Sequence, residues 1–457
     1  MDYKKIIAGT TAITLLASLT ACGAEPENTV PDVTTTAATE WTGDNIEVEA
    51  LDESSAVDVD IEGKTLKWLG FYDLNPTNDS PERSPELALF EDTYGAKIEY
   101  IPTTSDAAYD ALATSILGGN SPDIFVYAWR VFPCDIAKGQ FQPIDSLIDW
   151  TDPKWADVKD VADQFIYKGE HYIAPLSYSF NDTQVLMYNK TTMESEGFDD
   201  PYELYLKGEW DWDKFTNMMK EFAENGENRY GIGGWWANAL VFTSGETVVT
   251  YDGEKFSNNI RSEAIERAQF VIEDICKNNL VKLGWIPGES AFVDDDLLFY
   301  SLGTWAYNAA ALSCPDDVIQ IVPFPKDPKN DNYYVSNKLN AYMWVKGSEN
   351  GDCVKAWLDC NRIVNYEDSY KQATKDKFLA NNAGWTSEMY DTAMSLHDKT
   401  KFIQGYDYGY GISSEMELTF MPAIYQGIAD QMFESWVQAR EECSGIIDEE
   451  IKVYNDN

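Results

Sequence analysis

The histidines and carboxylates are considered first, because these side chains carry most acid–base and metal chemistry in proteins. The chain has two histidines, His171 and His397, and 78 Asp and Glu residues. A Ser-His-Asp triad needs a histidine beside a nucleophile, whereas His171 lies in the turn-like sequence GEHY and His397 in a polar, helix-like segment. Two histidines also offer no zinc ligand set. We therefore predict neither a hydrolytic triad nor a metal centre.

Carboxylate pairs and phosphate loops are the remaining catalytic possibilities. Two carboxyl groups about 5 Å apart would suffice for a retaining glycosidase, but no local signature singles out such a pair. The acidic run at 294–296 lacks the spacing of a calcium loop and is predicted to be the solvated start of a helix over 289–301. No GxxxxGK[ST] loop is present, so ATP hydrolysis would belong to a partner. We predict a protein that is not an enzyme and holds no cofactor.

Cys22 has a different, covalent chemistry. It follows Leu19-Thr20-Ala21, and an apolar stretch over 6–19 follows Lys4 and Lys5. A basic start, a short apolar core and a small residue before the cut are typical of a secretory signal peptide. With a cysteine at the cut, residues 1–21 resemble a bacterial lipoprotein signal, which implies acylation of Cys22 and attachment to the outer face of the cell membrane. The alternative is an ordinary signal peptide with an incidental cysteine.

The segment after Cys22 has the composition of a tether. Residues 23–63 contain no Lys or Arg, few large apolar side chains, and a run of acids between 47 and 62. Such a chain buries too little apolar surface to offset its conformational entropy. We predict a disordered acidic spacer over 22–63. The alternative is that residues 46–51 add a strand to the folded body.

The charge and the other cysteines narrow the class of partner. The formal net charge is -44, which repels nucleic acid phosphates and leaves a cationic ligand, such as a polyamine, as an alternative. The six cysteines beyond Cys22 form no CxxC pair. In an exported chain they are either disulfide partners or small buried hydrophobic residues.

From residue 64 onward, strand and helix patterns alternate. Residues 66–70 and 96–101 have strand patterns, and Ser84-Pro85 starts a helix that Gly95 ends. A second helix follows Ser105, and 123–127 is a third strand. This alternation predicts a parallel sheet covered by helices.

The middle of the chain is more helical. Asp211 and Ser262 are predicted N-caps of amphipathic helices. Strands are predicted over 318–322 and after Leu339, and helices from about residue 352 and about residue 415.

Several short motifs occur in a characteristic order. They are FEDTYGAKIE (90–99), GGNSPDI (118–124), YIAPL (172–176), LMYNK (186–190), WDWDKF (210–215), YGIG (230–233), LGTW (302–305) and LNAYM (339–343). With these motifs, residues 64–454 resemble the extracellular solute-binding proteins of family 1, the lipid-anchored subunits of carbohydrate ABC importers. The resemblance implies capture of a carbohydrate, most simply an oligosaccharide, and its delivery to the permease subunits of an ABC transporter. It also implies that the protein is a monomer.

The resemblance also implies an α/β fold of the periplasmic-binding-protein type (class II). Each of its two lobes has a mainly parallel sheet flanked by helices, and a hinge joins the lobes. Carried onto this chain, lobe one spans 64–173 and 324–370, and lobe two spans 174–323 and 371–457. The hinge is expected near Pro175, Pro323 and residue 370. Alternatives are a binding protein for a cationic or peptide-like solute and a surface glycan-adhesion protein without transport.

Candidate ligand residues follow from the chemistry of sugars, which offer an apolar C–H face and a ring of hydroxyl groups. Flat aromatic rings and planar hydrogen-bonding side chains suit them, and the chain has 15 Trp and 27 Tyr. Ligands of parallel sheets bind beyond the carboxyl ends of strands. That rule selects Tyr72, Asp73, Tyr127, Trp129 and Arg130.

The resemblance adds Trp235 or Trp236, Trp305, Asn340 and Tyr342. Trp305, Trp129 and one of Trp235 or Trp236 are expected to stack on sugar rings, and Asp73, Arg130 and Asn340 to bind hydroxyl groups. Asp123 is expected to be a structural cap. The other tryptophans named here are expected in the core or at a helix start: Trp68, Trp150, Trp155, Trp210, Trp212, Trp344 and Trp357.

Overall fold

The computed structural model describes residues 48–51, 55–78, 81–398 and 401–456. The predicted signal peptide (1–21), Cys22 and most of the predicted tether lie outside these residues. Within them, no helix combines the length and the apolar character that crossing a bilayer requires.

The strands are β1 (Thr65–Gly70), β2 (Lys97–Pro102), β3 (Ile124–Val126), β4 (Phe141–Gln142), β5 (Ala174–Tyr178), β6 (Gln184–Asn189), β7 (Tyr230–Gly234), β8 (Val249–Tyr251), β9 (Phe256–Asn258), β10 (Val281–Lys282), β11 (Leu297–Gly303), β12 (Ile319–Val322), β13 (Tyr333–Ser336), β14 (Leu339–Val345) and β15 (Phe402–Gly405).

The α-helices are α1 (Pro85–Tyr94), α2 (Ala108–Leu117), α3 (Cys134–Ala137), α4 (Ala156–Gln164), α5 (Lys190–Glu196), α6 (Pro201–Leu206), α7 (Trp212–Glu224), α8 (Ala237–Phe242), α9 (Glu263–Lys277), α10 (Tyr307–Ser313), α11 (Gly351–Tyr366), α12 (Asp368–Asn381), α13 (Ser387–Ser395), α14 (Gly409–Ile412), α15 (Met421–Gln426) and α16 (Trp436–Asn455). Single 3-10 turns cover Trp129–Val131, Pro153–Trp155, Gly288–Ser290 and Thr304–Ala306, and a π-helical turn covers Met416–Phe420.

Two main sheets form the cores of two lobes. The first has the order β2-β1-β3-β14-β4, with β5 also paired to β14. In it β1, β2 and β3 are parallel, and β14 runs antiparallel to β3, β4 and β5. The second has the order β10-β7-β11-β6-β12, with β6 antiparallel to its two neighbours. The fold is therefore the predicted two-lobed α/β architecture.

Capping residues fix several helix starts, as the sequence predicts. The Ser84 side chain accepts a hydrogen bond from Leu87 N, and Gly95 ends α1 with a φ of 64°. Asp211 accepts from Lys214 N at 2.9 Å, and Ser262 accepts from Ala264 N at 3.1 Å. These side chains satisfy backbone donors that the first helical turn leaves free. The predicted role of Asp211 and Ser262 as N-caps is confirmed.

The predicted helix over 289–301 is wrong. Residues 297–303 form β11, the central strand of the second sheet, and all seven are buried. A strand covered on both faces has a continuous apolar run, and such a run cannot be distinguished from a buried helix by periodicity. The sheet partners, β6 on one side and β7 on the other, decide the conformation.

The predicted end of the tether at residue 63 is also wrong. Ile61 is only 1% exposed, Val57 N donates to Tyr94 Oη at 3.0 Å, and Leu51 N donates to Thr93 Oγ1 at 3.0 Å. Leu51, Val57 and Ile61 therefore pack on the first lobe. Residues 48–51 form no strand, contrary to the alternative considered for 46–51. A few apolar side chains in an acidic segment are enough when the lobe provides a surface for them.

The predicted lobe boundary at 173/174 needs a similar correction. β5 pairs with β14 through Ala174–Tyr342 and Leu339–Tyr178, so it belongs to the first sheet. The chain crosses to the second lobe between Tyr178 and Gln184, not at Pro175. Burial of an antiparallel edge strand in the first lobe outweighs the local proline signal.

The six cysteines beyond Cys22 are free thiols, and Cys314, Cys353, Cys360 and Cys443 are buried. The sequence left open whether these cysteines are disulfide partners or small hydrophobic residues, and the four buried thiols are of the second kind. Asp123 is a structural cap, as predicted: its carboxylate accepts from Lys67 N at 2.8 Å, Ser348 Oγ at 2.6 Å and Asn350 Nδ2 at 3.0 Å.

Candidate functional site

The carboxyl edges of the two sheets face each other. The carboxyl end of β5 lies at that edge of the first sheet, and the amino end of the antiparallel strand β6 lies at the corresponding edge of the second. Five residues, 179–183, join these ends. Because an extended residue spans at most about 3.6 Å, the two edges lie within about 20 Å of each other along this segment. We therefore expect the residues that follow these strands to border a cleft between the lobes.

At the first sheet, Phe71 and Tyr72 follow β1 and are half exposed. The Trp68 indole donates its Nε1 proton to the Tyr72 carbonyl oxygen at 2.9 Å, which fixes the turn. The Tyr72 ring lies 5.5 Å from that of Trp68. Asp73 Oδ1 accepts from both the backbone N and Nδ2 of Asn75, each at 2.9 Å, so this carboxylate organises the loop. Tyr72 stays a predicted ligand contact, and Asp73 supports the loop behind it.

The residues after β3 pack against other aromatic side chains of the protein. The Tyr127 ring lies 5.9 Å from that of Phe165, which in turn contacts Tyr406 and Tyr408. The Arg130 guanidinium lies 4.4 Å from the centre of the Tyr109 ring, and its buried Nε has no hydrogen-bond partner. Trp129 begins the 3-10 turn between them. Tyr127 is thus held by protein contacts that the sequence did not predict.

Asn340 and Tyr342 are two residues apart on β14, but a register shift between Asn340 and Ala341 interrupts the regular alternation of side chains. The Asn340 side chain is exposed at the cleft edge and donates to Ser177 Oγ at 3.0 Å. Tyr342 is buried, with its ring edge-on to Trp68 at 5.5 Å and 6.1 Å from that of Trp357. The prediction that Tyr342 faces ligand is corrected: it is a core residue.

At the second sheet, Gly234 gives Trp235 its position. Gly234 has a φ of +83°, and a Cβ there would lie 2.1 Å from the Ser301 carbonyl oxygen. Trp235 N donates to that same oxygen at 2.8 Å, and Ser301 Oγ donates to the Trp235 carbonyl oxygen. The Trp235 ring is 55% exposed, whereas Trp236 is 2% exposed. Of the predicted pair, Trp235 is at the edge and Trp236 belongs to the core.

Trp305 follows β11 and is 51% exposed. Thr304 N donates to the Thr183 carbonyl oxygen at 3.1 Å, and Trp305 N to that of Asn181 at 3.4 Å. A Cβ on Gly303 would lie 2.6 Å from the Trp305 ring, so the glycine leaves room for the indole beside the crossing segment. Trp305 therefore lies where the two lobes join, with one face open.

Trp285 is a residue that the sequence reasoning missed. It follows the two-residue strand β10, which is parallel to β7, and so it lies at the same carboxyl edge. Its ring is 62% exposed and lies 6.2 Å from that of Trp235, with an angle of 63° between the two ring planes. A two-residue strand leaves no detectable periodicity, and only the exposure of a large aromatic side chain reveals the site.

A hydrogen-bonded network joins the crossing segments. Thr183 Oγ1 lies 2.8 Å from the Ser179 carbonyl oxygen, 3.1 Å from Asn337 Oδ1 and 2.9 Å from His397 Nε2. Asn337 Nδ2 in turn donates to Gln404 Oε1 at 2.5 Å. Burial lowers the pKa of His397 to about 4, so its imidazole is neutral at physiological pH. This neutral network ties together the segments that any rotation of the lobes must bend.

His171 and Asp296, which were also singled out from the sequence, are held by polar neighbours. His171 lies between Asp145 and Asp163, with N···O distances of 2.6 Å and 3.0 Å, and its ring lies 4.8 Å from that of Trp150. Asp296 binds Lys282 at 2.7 Å. Within the described ranges, no group of three or more His, Cys, Asp or Glu side chains is arranged to hold a metal ion.

The family comparison agrees with this architecture. A model of the bacterial extracellular solute-binding proteins matches residues 78–360, more than half of the chain. Among curated proteins, the maltotriose-binding protein of Pyrococcus abyssi is 22% identical over 275 residues. That alignment covers 58% of this chain and 56% of the relative, so the chain spans little more than half the length of the curated relative it matches.

Three solved structures illustrate the shared fold. The sugar-binding protein MalE of Xanthomonas citri aligns with a TM-score of 0.61 at 14% identity, covering 85% of this chain and 98% of that one. A sugar transporter of Rhizobium etli, in an open conformation, aligns with a TM-score of 0.61 at 15% identity, covering 84% of this chain and 99% of that one. The GacH receptor of Streptomyces glaucescens, solved unliganded and with acarbose, aligns with a TM-score of 0.58 at 16% identity, covering 86% of this chain and 99% of that one.

Proposed function

Because the chain belongs to the bacterial extracellular solute-binding proteins, we propose that it captures an oligosaccharide in the interlobe cleft and delivers it to the permease of an ABC importer. The observation that carries the proposal is the set of three half-exposed tryptophans, Trp235, Trp285 and Trp305, at one edge of the second sheet. Indole rings bury the apolar face of a pyranose and leave its hydroxyl groups free for polar partners.

The opposite edge supplies groups of the complementary kind. Tyr72 offers a phenol, and Asn340 offers a planar amide with both donor and acceptor capacity. A ligand that contacts both edges at once stabilises the closed arrangement of the lobes over an open one. The maltotriose-binding relative and the acarbose-bound GacH receptor support an oligosaccharide over a single sugar.

Attachment to the cell surface is part of the same proposal. Acylation of Cys22 would hold the protein at the outer face of the membrane, and the acidic segment up to about residue 50 would let the body reach the permease. Mass spectrometry of the protein purified from a bacterial membrane tests this step. An unmodified N-terminus beginning elsewhere than at Cys22 contradicts it.

The binding proposal is tested with protein that lacks residues 1–22. Its melting temperature is measured against a panel of mono- and oligosaccharides, polyamines and amino acids, because a ligand that binds only the folded state raises that temperature by mass action. We expect a shift within one oligosaccharide series. A shift with polyamines alone would favour the cationic alternative.

Transport is tested separately, in cells. Deleting the gene should abolish uptake of the oligosaccharide that the thermal screen identifies, and a plasmid copy should restore it. Unchanged uptake together with lost adhesion to glycan-coated surfaces would favour a glycan-adhesion protein.

A further inference from the structure

A second cavity, of about 370 Å³, lies on the first lobe and shares no lining residue with the cleft described above. This volume falls in the range of about 300–1,000 Å³ that is typical of small-molecule sites. Its walls come from the segment between β4 and α4, from helix α11 and from Val57 of the N-terminal segment. The N-terminal segment that the sequence predicted to be a tether thus forms one wall of a site.

The lining combines apolar and charged side chains. Val57, Leu147, Ile148 and Trp155 form the apolar part, and Trp155 is buried. The charged side chains are three carboxylates and two ammonium groups: Asp149, Asp152, Asp359, Lys154 and Lys355. Such a lining suits a ligand that has both charges and an apolar portion.

Asp359 is the most informative member of the lining. Its side chain is 5% exposed, and its Oδ1 pairs with the ammonium group of Lys154, which also lies 3.3 Å from Asp152 Oδ2. Its Oδ2 is buried and has no hydrogen-bond partner. A buried carboxylate oxygen without a donor is costly. A ligand with an N–H group in the cavity would remove that cost.

Lys355 supplies the opposite charge. It lies one helical turn before Asp359 on α11, so the two side chains share a face of the helix. It forms no ion pair with any residue in the described part of the chain, and its charge reaches Asp359, where it opposes the rise in pKa that burial causes. An unpaired ammonium group and an unsatisfied carboxylate oxygen therefore flank one cavity.

We propose that this cavity binds a small zwitterion, an α-amino acid with an apolar side chain. Its ammonium group donates to Asp359 Oδ2, its carboxylate pairs with Lys355, and its side chain packs on Trp155 and Ile148. A simple amine would face Lys355 unpaired, and a simple carboxylate would face three aspartates. A zwitterion satisfies both groups at once. The site is independent of the cleft and of its sugar.

The test is a calorimetric titration of protein lacking residues 1–22 with L-leucine, isoamylamine and 4-methylpentanoate. The last two share leucine's apolar portion but lack its carboxylate or its ammonium group. We expect leucine to bind one site, and each analogue to bind at least about tenfold more weakly, since a hydrogen bond to a charged group is worth that much. If leucine gives no binding heat at concentrations up to about 10 mM, the proposal is overturned.

Two variants locate the site. K355Q changes a half-exposed position. It should weaken leucine binding at least about tenfold and leave the affinity for isoamylamine unchanged. V57W should fill the cavity and abolish leucine binding, whereas V453W, a matched change at an exposed position of α16, should not. If K355Q and V57W bind leucine like the wild type, or if W305A abolishes leucine binding, the site is elsewhere and the proposal fails. The oligosaccharide titration is unaffected by either result.

Discussion

Tryptophan is on average a well-buried residue, yet Trp235, Trp285 and Trp305 are 51–62% exposed at one edge of one sheet. Each follows a parallel strand of the second lobe, and each is held by backbone contacts or a neighbouring ring and not by the core. Exposed apolar surface of this kind is retained where a ligand covers it. These three exposed indole rings are therefore the main support for the binding proposal.

Removing one of these rings should weaken binding in proportion to the apolar area lost. We expect Trp305→Ala and Trp285→Ala each to reduce oligosaccharide affinity by about 1–3 kcal/mol, measured by isothermal titration. Phe270→Ala removes a comparably exposed aromatic ring from α9, away from the cleft edge, and is the control. Equal losses in the three variants would mean that general destabilisation, not ring stacking, lowers the affinity.

Gly234 offers a test of how the Trp235 position is fixed. Gly234 and Gly253 both have positive φ, +83° and +97°, but only at Gly234 would a Cβ meet another atom within 4 Å. Both alanine variants bear the cost of a left-handed backbone, about 1–2 kcal/mol. We expect G234A to lose a further 1–3 kcal/mol or so in urea denaturation through overpacking. Equal free energies of unfolding would argue against the clash with Ser301.

At the scale of elements, two kinds of connection matter: the N-terminal segment that packs on the first lobe, and the crossing segments between the lobes. The first contributes Ile61 to the core. The second are joined by the network around Thr183. Both arise from long-range contacts, between residues 37 or more apart in the chain.

The N-terminal segment should contribute measurable stability. We expect Ile61→Ala to lower the free energy of unfolding by about 2–5 kcal/mol, because it deletes a fully buried side chain and leaves a cavity. Val59→Ala, in the same segment at a half-exposed position, should cost clearly less. If both variants lower the free energy of unfolding by equally small amounts in chemical denaturation, residues 55–63 belong to the tether and not to the folded lobe.

His397 should make the stability of the crossing segments depend on pH. Its pKa falls from 6.5 to about 4 on folding, because burial disfavours the charged imidazole. Between these values the unfolded chain binds a proton that the folded chain does not, so the stability conferred by neutral His397 is complete above pH 6.5 and is lost as the pH falls to 4.

The measurement is urea denaturation at several pH values between 4 and 7. Wild-type stability includes contributions from other groups, such as Asp407, whose pKa burial raises to about 6 and which has the opposite sign. The difference between the wild type and His397→Gln isolates the histidine. We expect this difference to shrink as the pH falls. A difference that does not change with pH would mean that His397 keeps an ordinary pKa.

At the scale of the whole molecule, the net charge of -44 is the dominant feature. Self-repulsion among so many carboxylates opposes compaction. Screening it should therefore stabilise the fold: we expect the melting temperature to rise as NaCl increases from about 20 to about 300 mM, over which the Debye length falls severalfold.

Sucrose at matched osmolality is the control, since it stabilises proteins without screening charge. A melting temperature that falls with salt would show that the surface ion pairs, such as Arg83–Asp92 at 2.8 Å, outweigh the repulsion.

The sequence alone determined the class of fold and suggested the ligand chemistry that we propose. Helix caps at Ser84, Asp211 and Ser262 and the strands of the first lobe are local signals, and local backbone preferences fix them. The order of the short motifs then predicted two lobes and a cleft between strand ends. Abundant aromatic side chains pointed to a sugar.

Only the tertiary structure decided which residues serve the core and which the cleft. Trp235 and Trp236 are neighbours in sequence with opposite fates, and Tyr342 is buried although it lies two residues from Asn340 at the cleft. β11 is a strand because β6 and β7 flank it, and Ile61 is buried because the first lobe offers it a surface. Exposure and pairing depend on residues distant in the chain, and no local pattern encodes them.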